Sequence, residues 1–499
     1  MVPSSWRPTT GPQTSSQLRG FVKMFDGNSS PVLQPTSNLY VFGPSAPPAI
    51  IYKSPSTLAA PFLPNTSTPP KFGVYSEANY FTYGAGGTGT FQIGTSPGSY
   101  PQQVAFNLPA GTNSWQVWTD WDEPGISPLV AGQTYYWRAT FDPDGPAPII
   151  FGSQQQFTMP PAATCGGQAV TVAIGLGQLP TEGNDVIMGT PAADTIHGGG
   201  GNDIICGAGG DDILIGGPGN DTLIGGGGSD TAGYSDAPAG VTVNLGSAPQ
   251  NTVGAGTDTL MSIENLEGSA HDDTLTGNAA ANRLIGGAGN DRLNGGGGND
   301  TLFGGPGNDR LNGGPGRDRA SYAGSPGGVR VNLAVTGSQN TLSAGFDTLT
   351  SIEDLTGSSF ADTLLGNGAA NHLIGGPGND TLRGEGGDDT LEGLAGNDIL
   401  EGGPGNDTLK GGKGTDTVIY SGAASGVTVD LALTSAQNTL GAGSDTLSLI
   451  ENLTGSNYND VLRGNGGPNV LNGLKGTDVC NGRGGIDVAI SCETTFGIP

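Results

Sequence analysis

No apolar run in this chain is long enough to cross a bilayer, which excludes a helical membrane span. Positive charge is scarce: 18 Lys and Arg stand against 45 Asp and Glu, for a net charge of −27. Nucleic acid is a poor partner for such a chain, because phosphate binding needs Lys and Arg. Histidine is nearly missing. Only His197, His271 and His372 occur, scattered and without an HExxH pattern, so a zinc-protease motif is excluded and no general base stands out. Aromatics make up 6% of the chain, and all five tryptophans (Trp6, Trp115, Trp118, Trp121, Trp137) lie in its first third. No stretch reads as a convincing helix. The twenty residues from Met1 lack the charged and apolar regions of a signal peptide, so the expectation is a misplaced gene start or another export route, type I secretion among them.

What is abundant is glycine, 92 residues of it, and it is ordered. An aspartate returns every nine residues, almost always inside a glycine-rich hexad, as in GGPGNDTLK at Gly402–Lys410. The first array carries Asp185, Asp194, Asp203, Asp212, Asp221 and Asp230, and the second Asp291, Asp300, Asp309 and Asp318. The third carries Asp380, Asp389, Asp398, Asp407 and Asp416, and a short last one Asp478 and Asp487. Two residues after nearly every aspartate stands an aliphatic, such as Leu214, Leu302, Leu382 or Leu409. Composition alone would favour a flexible linker, but a linker has no reason to keep that aliphatic in register. Gly-x-Gly-x-x-Gly spacings are by-products of the repeat, since no βαβ pattern surrounds them.

These residues resemble the hemolysin-type calcium-binding repeat, the RTX nonapeptide GGxGxDxUx, over roughly 183–490. The resemblance implies a parallel β-roll: a six-residue turn and a three-residue strand per repeat, two repeats per coil, and Ca²⁺ between stacked turns. It implies that the seventeen aspartates named above are metal ligands. The residue chemistry agrees. Glycines admit positive φ and let carbonyls converge, and calcium takes about six to eight oxygens, which carbonyls and carboxylates supply. The aliphatic should point inward, with its two neighbours alternating outward. Loops eighteen residues apart should share a flank, placing Asp389 with Asp407 and Asp398 with Asp416.

Charge divides the chain. Residues 1–160 have a net charge of −1 and residues 161–499 a net charge of −26. About thirteen divalent ions would cancel the latter; without them, repulsion and glycine entropy should keep the region expanded. With them, binding free energy becomes folding free energy.

Three interludes break the arrays, at 234–267, 322–356 and 420–454, beginning at Tyr234, Tyr322 and Tyr420. Their starts are 88 and 98 residues apart, the longer spacing holding one extra nonapeptide. Each has two strand-like stretches, GVTVNL and LMSIENL in the first, read as longer coils continuing the solenoid. After each, the register restarts with asparagine in place of aspartate, at Asn282, Asn371 and Asn469. These turns should close with amide hydrogen bonds in place of metal. Asp273, Asp362 and Asp460, just before them, lack the full glycine pattern.

Four cysteines bracket the repeats in pairs. Cys165–Cys206 and Cys480–Cys492 are expected as disulfides stapling the two ends, with free packed thiols as the alternative. Neither pair has zinc-ligand spacing.

Residues 1–19 read as a disordered tail and 20–159 as β-rich. Leu129–Phe141, LVAGQTYYWRATF, resembles the end of a fibronectin type III domain, with Leu129 six residues before Tyr135 in tyrosine-corner spacing. Strands are expected at 91–95, 114–119, 134–141 and 153–158. Gly-x-Ser-x-Gly occurs once, at Gly94–Gly98, but Pro97 follows Ser96 and no helix follows, so it reads as a hairpin turn.

The resulting expectation is an all-β chain: an immunoglobulin or fibronectin III-like sandwich (20–159), a linker and cap (160–180), a calcium-binding parallel β-roll solenoid (181–490, arrays 181–233, 268–321, 357–419 and 455–490) and a C-terminal cap (491–499). Functionally it reads as a secreted or surface-associated, non-enzymatic calcium-binding rod. Its first domain would meet an extracellular or cell-surface protein or glycan. The rivals are a secreted hydrolase carrying the roll as an export appendage, and a carbohydrate-binding module using the tryptophans.

Overall fold

The computed structural model describes residues 164–246 and 249–498, and upstream of them 21–25, 31–35, 73–79, 87–94, 96–97, 102–108, 114–120, 134–143, 150–151 and 155–158. Contacts divide the chain into two units, Met1–Leu179 and Pro180–Pro499.

In the first unit the described backbone upstream of residue 164 is antiparallel strand, apart from Ser96 and Pro97. Gly87–Gly94 lies between Gln102–Leu108 and Thr134–Pro143, and Thr134–Pro143 also pairs with Ile150–Phe151 and Gln155–Thr158. Gly73–Asn79 pairs with Ser114–Asp120. All four expected strands therefore have a counterpart. The disordered tail at 1–19, Leu129 and Trp121 lie outside the described residues, and with them the sandwich and the glycan platform as expected. Ser96 and Pro97 form an exposed bridge and turn.

The second unit is a stack of short parallel strands. Its regularity comes from one rule: a strand pairs with the strand eighteen residues on, so successive repeats fall on opposite flanks. Leu382 stands opposite Leu400, and Leu373 opposite Leu391 and then Leu409. Most triplets hide their middle residue and leave at least one of the other two toward solvent, as a two-residue period requires. Thus Leu364, Leu373, Leu382, Leu391, Leu400 and Leu409 are all fully buried. Each buried leucine contributes about 1.5–3 kcal/mol, and one per nonapeptide makes a thin core. In the turn at Gly402–Asp407, Gly403 takes φ +100°, and Gly405 sits too close to the Gly387 carbonyl for any side chain.

The interludes depart from simple continuation. At the first, Thr231–Gly233, Asn265–Glu267 and Arg283–Ile285 keep one flank continuous. On the other flank the sheet ends at Thr257–Met261, edged by antiparallel Gln250–Asn251, and Thr242–Asn244 starts a new sheet by pairing with Thr274–Thr276. The stretch LMSIENL is accordingly two strand ends, broken where Ser262 takes φ +50° and carries the chain to the other flank. The second interlude repeats this on the same flank, and the third does it on the opposite one. The cause is parity. Six strands, from Thr274–Thr276 to Arg319–Ser321, separate the first two interludes, and seven, from Thr363–Leu365 to Thr417–Ile419, separate the next. The extra nonapeptide is half a coil, and it rotates the third interlude to the other flank.

Cys480 and Cys492 form a disulfide with Cα atoms 6.0 Å apart, closing the last coil. Loop entropy assigns such a short bridge about 3 kcal/mol. Cys165 and Cys206 are also disulfide-bonded, and no cysteine is free among the described residues.

Candidate metal centre

Apart from Asp185 and Asp194, the repeat aspartates use their two oxygens differently. Oδ1 accepts the backbone N–H of the aspartate or asparagine eighteen residues earlier: Asp389 N–H to Asp407 Oδ1 and Asp398 N–H to Asp416 Oδ1 are both 2.9 Å, and Asn371 N–H to Asp389 Oδ1 is 2.8 Å. The flank assignments made from spacing are therefore the ones observed. Oδ2 turns inward, beneath the first glycine of its own turn. A methyl at Gly393 would fall 2.8 Å from the Gly411 carbonyl oxygen and closer still to Asp398 Oδ2. The space between that carboxylate and the next turn's carbonyl is a cradle that only glycine leaves open.

In fifteen of the seventeen aspartates, Oδ2 is buried with no hydrogen-bond partner: Asp203, Asp212, Asp221, Asp230, Asp291, Asp300, Asp309, Asp318, Asp380, Asp389, Asp398, Asp407, Asp416, Asp478 and Asp487. Leaving a carboxylate oxygen buried and unpaired costs several kcal/mol, so a recurring set of them marks places built for a cation. Burial pushes the carboxyls up, to about 7 for Asp221, Asp380 and Asp407 and about 8 for Asp309, with neighbouring aspartates adding repulsion. Among the described residues no three His, Cys, Asp or Glu side chains converge. A cation here must take most of its ligands from backbone carbonyls, which suits a hard, oxygen-seeking ion such as calcium.

Asp185 and Asp194 stand apart from that set. Thr181 donates its N–H (2.7 Å) and hydroxyl (2.9 Å) to Asp185 Oδ2, and Thr190 does the same for Asp194 at 2.6 and 2.8 Å. A hydroxyl four residues before the aspartate thus replaces glycine and satisfies the oxygen. At Asp273, Asp362 and Asp460 a serine holds that position: Ser269, Ser358 and Ser456 donate their N–H to Oδ2 and their hydroxyl to Oδ1. The sequence signal was present in GSAHDD, GSSFAD and GSNYND, where Ser stands four residues before the last Asp.

The three asparagines close their turns through amides. Asn371 Oδ1 accepts the Asn367 N–H at 2.8 Å, and its Nδ2 donates to the Glu353 carbonyl at 2.7 Å. Asn282 and Asn469 make the same bonds, to the Glu264 and Glu451 carbonyls. The amide nitrogen thus engages a carbonyl of the neighbouring turn directly.

Within the interludes, Asp258, Asp347 and Asp445 take the register position of a repeat aspartate, accepting the N–H of Asp221, Asp309 and Asp407. Here Oδ2 is occupied by hydroxyls. Tyr322 and Thr341 donate to Asp347 at 3.1 and 3.0 Å, and Tyr420 and Thr439 to Asp445 at 3.1 and 3.3 Å. Burial beside these carboxylates pushes the Tyr322 and Tyr420 hydroxyls up, so they stay protonated donors. These hydroxyl partners were not foreseen from the sequence. Their signal is the tyrosine that opens each interlude and the buried threonine of its QNT triplet.

No curated protein matches the chain. A family model does: residues 180–214, 207–232, 267–302, 286–320, 356–391, 383–418 and 454–489 match the RTX calcium-binding nonapeptide repeat, so the aspartate cradles belong to four blocks of RTX calcium-binding repeats.

Proposed function

We propose that this is a secreted or surface-associated protein whose repeat unit is a rod folded by calcium, with the first unit serving as its interaction domain. The observation that carries the reading is the set of fifteen unpartnered, buried Oδ2 atoms, each facing a glycine-lined gap. Asp203, Asp212, Asp221 and Asp230 would hold cations in the first block, and Asp291, Asp300, Asp309 and Asp318 in the second. Asp380, Asp389, Asp398, Asp407 and Asp416 would do so in the third, and Asp478 and Asp487 in the last. Calcium supplies the positive charge that the stacked carboxylates lack, and the chain supplies the carbonyl geometry that selects it. Scarce calcium inside a cell would leave the unit expanded for export; abundant calcium outside would fold it. Among the described residues no helix is long and apolar enough to cross a membrane.

The reading is non-enzymatic, and the rod presents a partner-binding domain to protein or glycan outside the cell. What supports it over a hydrolase is the chemistry of the sequence: the first 160 residues contain no histidine. The test is calcium stoichiometry by equilibrium dialysis on the full chain. Asp398→Asn together with Asp407→Asn should remove two bound ions, because a neutral amide neither balances nor ligates the cation as a carboxylate does. Unchanged stoichiometry would dismiss the repeat aspartates as ligands. Hydrolytic activity assigned to residues 1–160 would dismiss the non-enzymatic reading.

A further inference from the structure

The regular cradle needs a successor turn, yet every block ends. Asp230, Asp318, Asp416 and Asp478 are the last aspartates on their flanks before a break, and no aspartate stands eighteen residues beyond them. All four are fully buried, and all four keep an unpartnered Oδ2. The same short turn succeeds each of them: Ser262-Ile263-Glu264, Ser351-Ile352-Glu353, Leu449-Ile450-Glu451 and Ser491-Cys492-Glu493.

This turn reproduces both arms of the missing repeat with half its length. Its first residue adopts φ of +50°, +49°, +54° and +52° in the four copies, a conformation costly for a side-chain-bearing residue. The result is that the carbonyls of Ser262, Ser351, Leu449 and Ser491 face the cradles of Gly225, Gly313, Gly411 and Gly473, where a glycine carbonyl stands in an ordinary repeat. Two residues later the glutamate reaches back. Its Oε2 accepts the aspartate N–H at 2.9 Å for Glu264–Asp230, 2.8 Å for Glu353–Asp318, 2.9 Å for Glu451–Asp416 and 2.6 Å for Glu493–Asp478. That is the bond Oδ1 of the next aspartate makes elsewhere. The extra methylene of glutamate spans the distance lost by shortening the turn. The C-terminal SCET is the same device, with Cys492 in the isoleucine position and tied to Cys480.

We infer that Glu264, Glu353, Glu451 and Glu493 are terminal members of the metal sites, each supplying the second carboxylate of the last divalent-cation site in its block. This rests on the proposed calcium reading. The second carboxylate supplies the negative charge that the successor aspartate gives the other sites, Asp487 excepted. Without it the terminal cation would face one carboxylate and carbonyls alone.

The test is equilibrium dialysis of the full chain with Ca²⁺, comparing wild type with the double variant Glu264→Gln, Glu451→Gln. Glutamine keeps an oxygen that can accept the aspartate N–H, so a purely structural role predicts wild-type binding. The inference predicts two fewer ions, or two sites weakened at least tenfold. Wild-type number and affinity in this variant, alongside loss of two ions from Asp398→Asn with Asp407→Asn, would overturn the glutamate role and leave the repeat sites standing. Loss from neither would instead overturn the calcium reading on which it rests. Should the double glutamine variant lose strand content even in excess calcium, the single variant Glu264→Gln is read instead. One fewer ion, or one site weakened at least tenfold, supports the role there, and wild-type number and affinity overturn it.

Discussion

Acidifying the metal-free protein should increase its strand content, the reverse of ordinary acid denaturation. Burial raises the folded-state carboxyls to about 6 for Asp291, Asp300 and Asp389, about 7 for Asp221, Asp380 and Asp407, and about 8 for Asp309, from an ordinary value of 3.8. For an acid raised on folding, the folded state holds protons that the unfolded chain has released. Stability therefore falls as pH rises through that window, from about 4 to about 8. Below it both states are protonated and the penalty vanishes; above it the penalty is complete, and repulsion across a chain of −27 adds to it. In EDTA, far-ultraviolet circular dichroism should show little strand from the repeats at pH 8 and substantially more near pH 4.5. Calcium binding should take the opposite course, because the cation and the proton compete for the same oxygens. Monotonic loss of strand on acidifying the EDTA-treated protein would contradict this assignment of buried carboxyls.

The second large effect belongs to a single methyl group. Gly393→Ala would place a Cβ 2.8 Å from the Gly411 carbonyl oxygen, 2.7 Å from Asp398 Cγ and against Asp398 Oδ2. Backbone on one side and a buried carboxylate on the other leave little room to yield. Overpacking of this kind costs about 1–3 kcal/mol, and the methyl also occupies the cation's position. One bound calcium should disappear, and the melting midpoint in calcium should drop by several degrees, on the order of the shift such energies produce. Gly368→Ala is the control. A Cβ there meets nothing within 4 Å, so the change should stay within about 0.5 kcal/mol and leave stoichiometry intact. Equal behaviour of the two variants would mean that the gap at Gly393 holds nothing.

Much of this was legible in the sequence because the repeat is its own template. The nine-residue period, with an aliphatic two positions after each aspartate, specified a strand triplet with one buried residue, and Leu382, Leu391 and Leu400 lie where that pattern put them. Eighteen-residue stacking came from two repeats per coil. The substitution of asparagine at Asn371 announced an amide-closed turn, and Asn371 Nδ2 does bond the Glu353 carbonyl. Less legible were features that depend on a neighbour outside the motif. Asp185 and Asp194 have the right register, but Thr181 and Thr190 satisfy their oxygens, a fact visible only when the residue four positions earlier is considered. The stretch LMSIENL alternates like one strand because nothing in its composition flags the positive φ of Ser262. The flank change of the third interlude was implicit in the extra nonapeptide, yet parity has meaning only once the coil closes. In the first unit no period exists, and single strands were all that propensity could locate.

Circular dichroism of the full chain in EDTA at pH 7.5, titrated with Ca²⁺ and in parallel with Mg²⁺, tests the central claim most directly. Coupled folding predicts a cooperative gain of strand signal with calcium. Magnesium should give little, since it demands near-octahedral geometry and sheds its water reluctantly. A strand signal already complete in EDTA, unchanged by calcium, would show that the roll folds without its cations and would contradict the account.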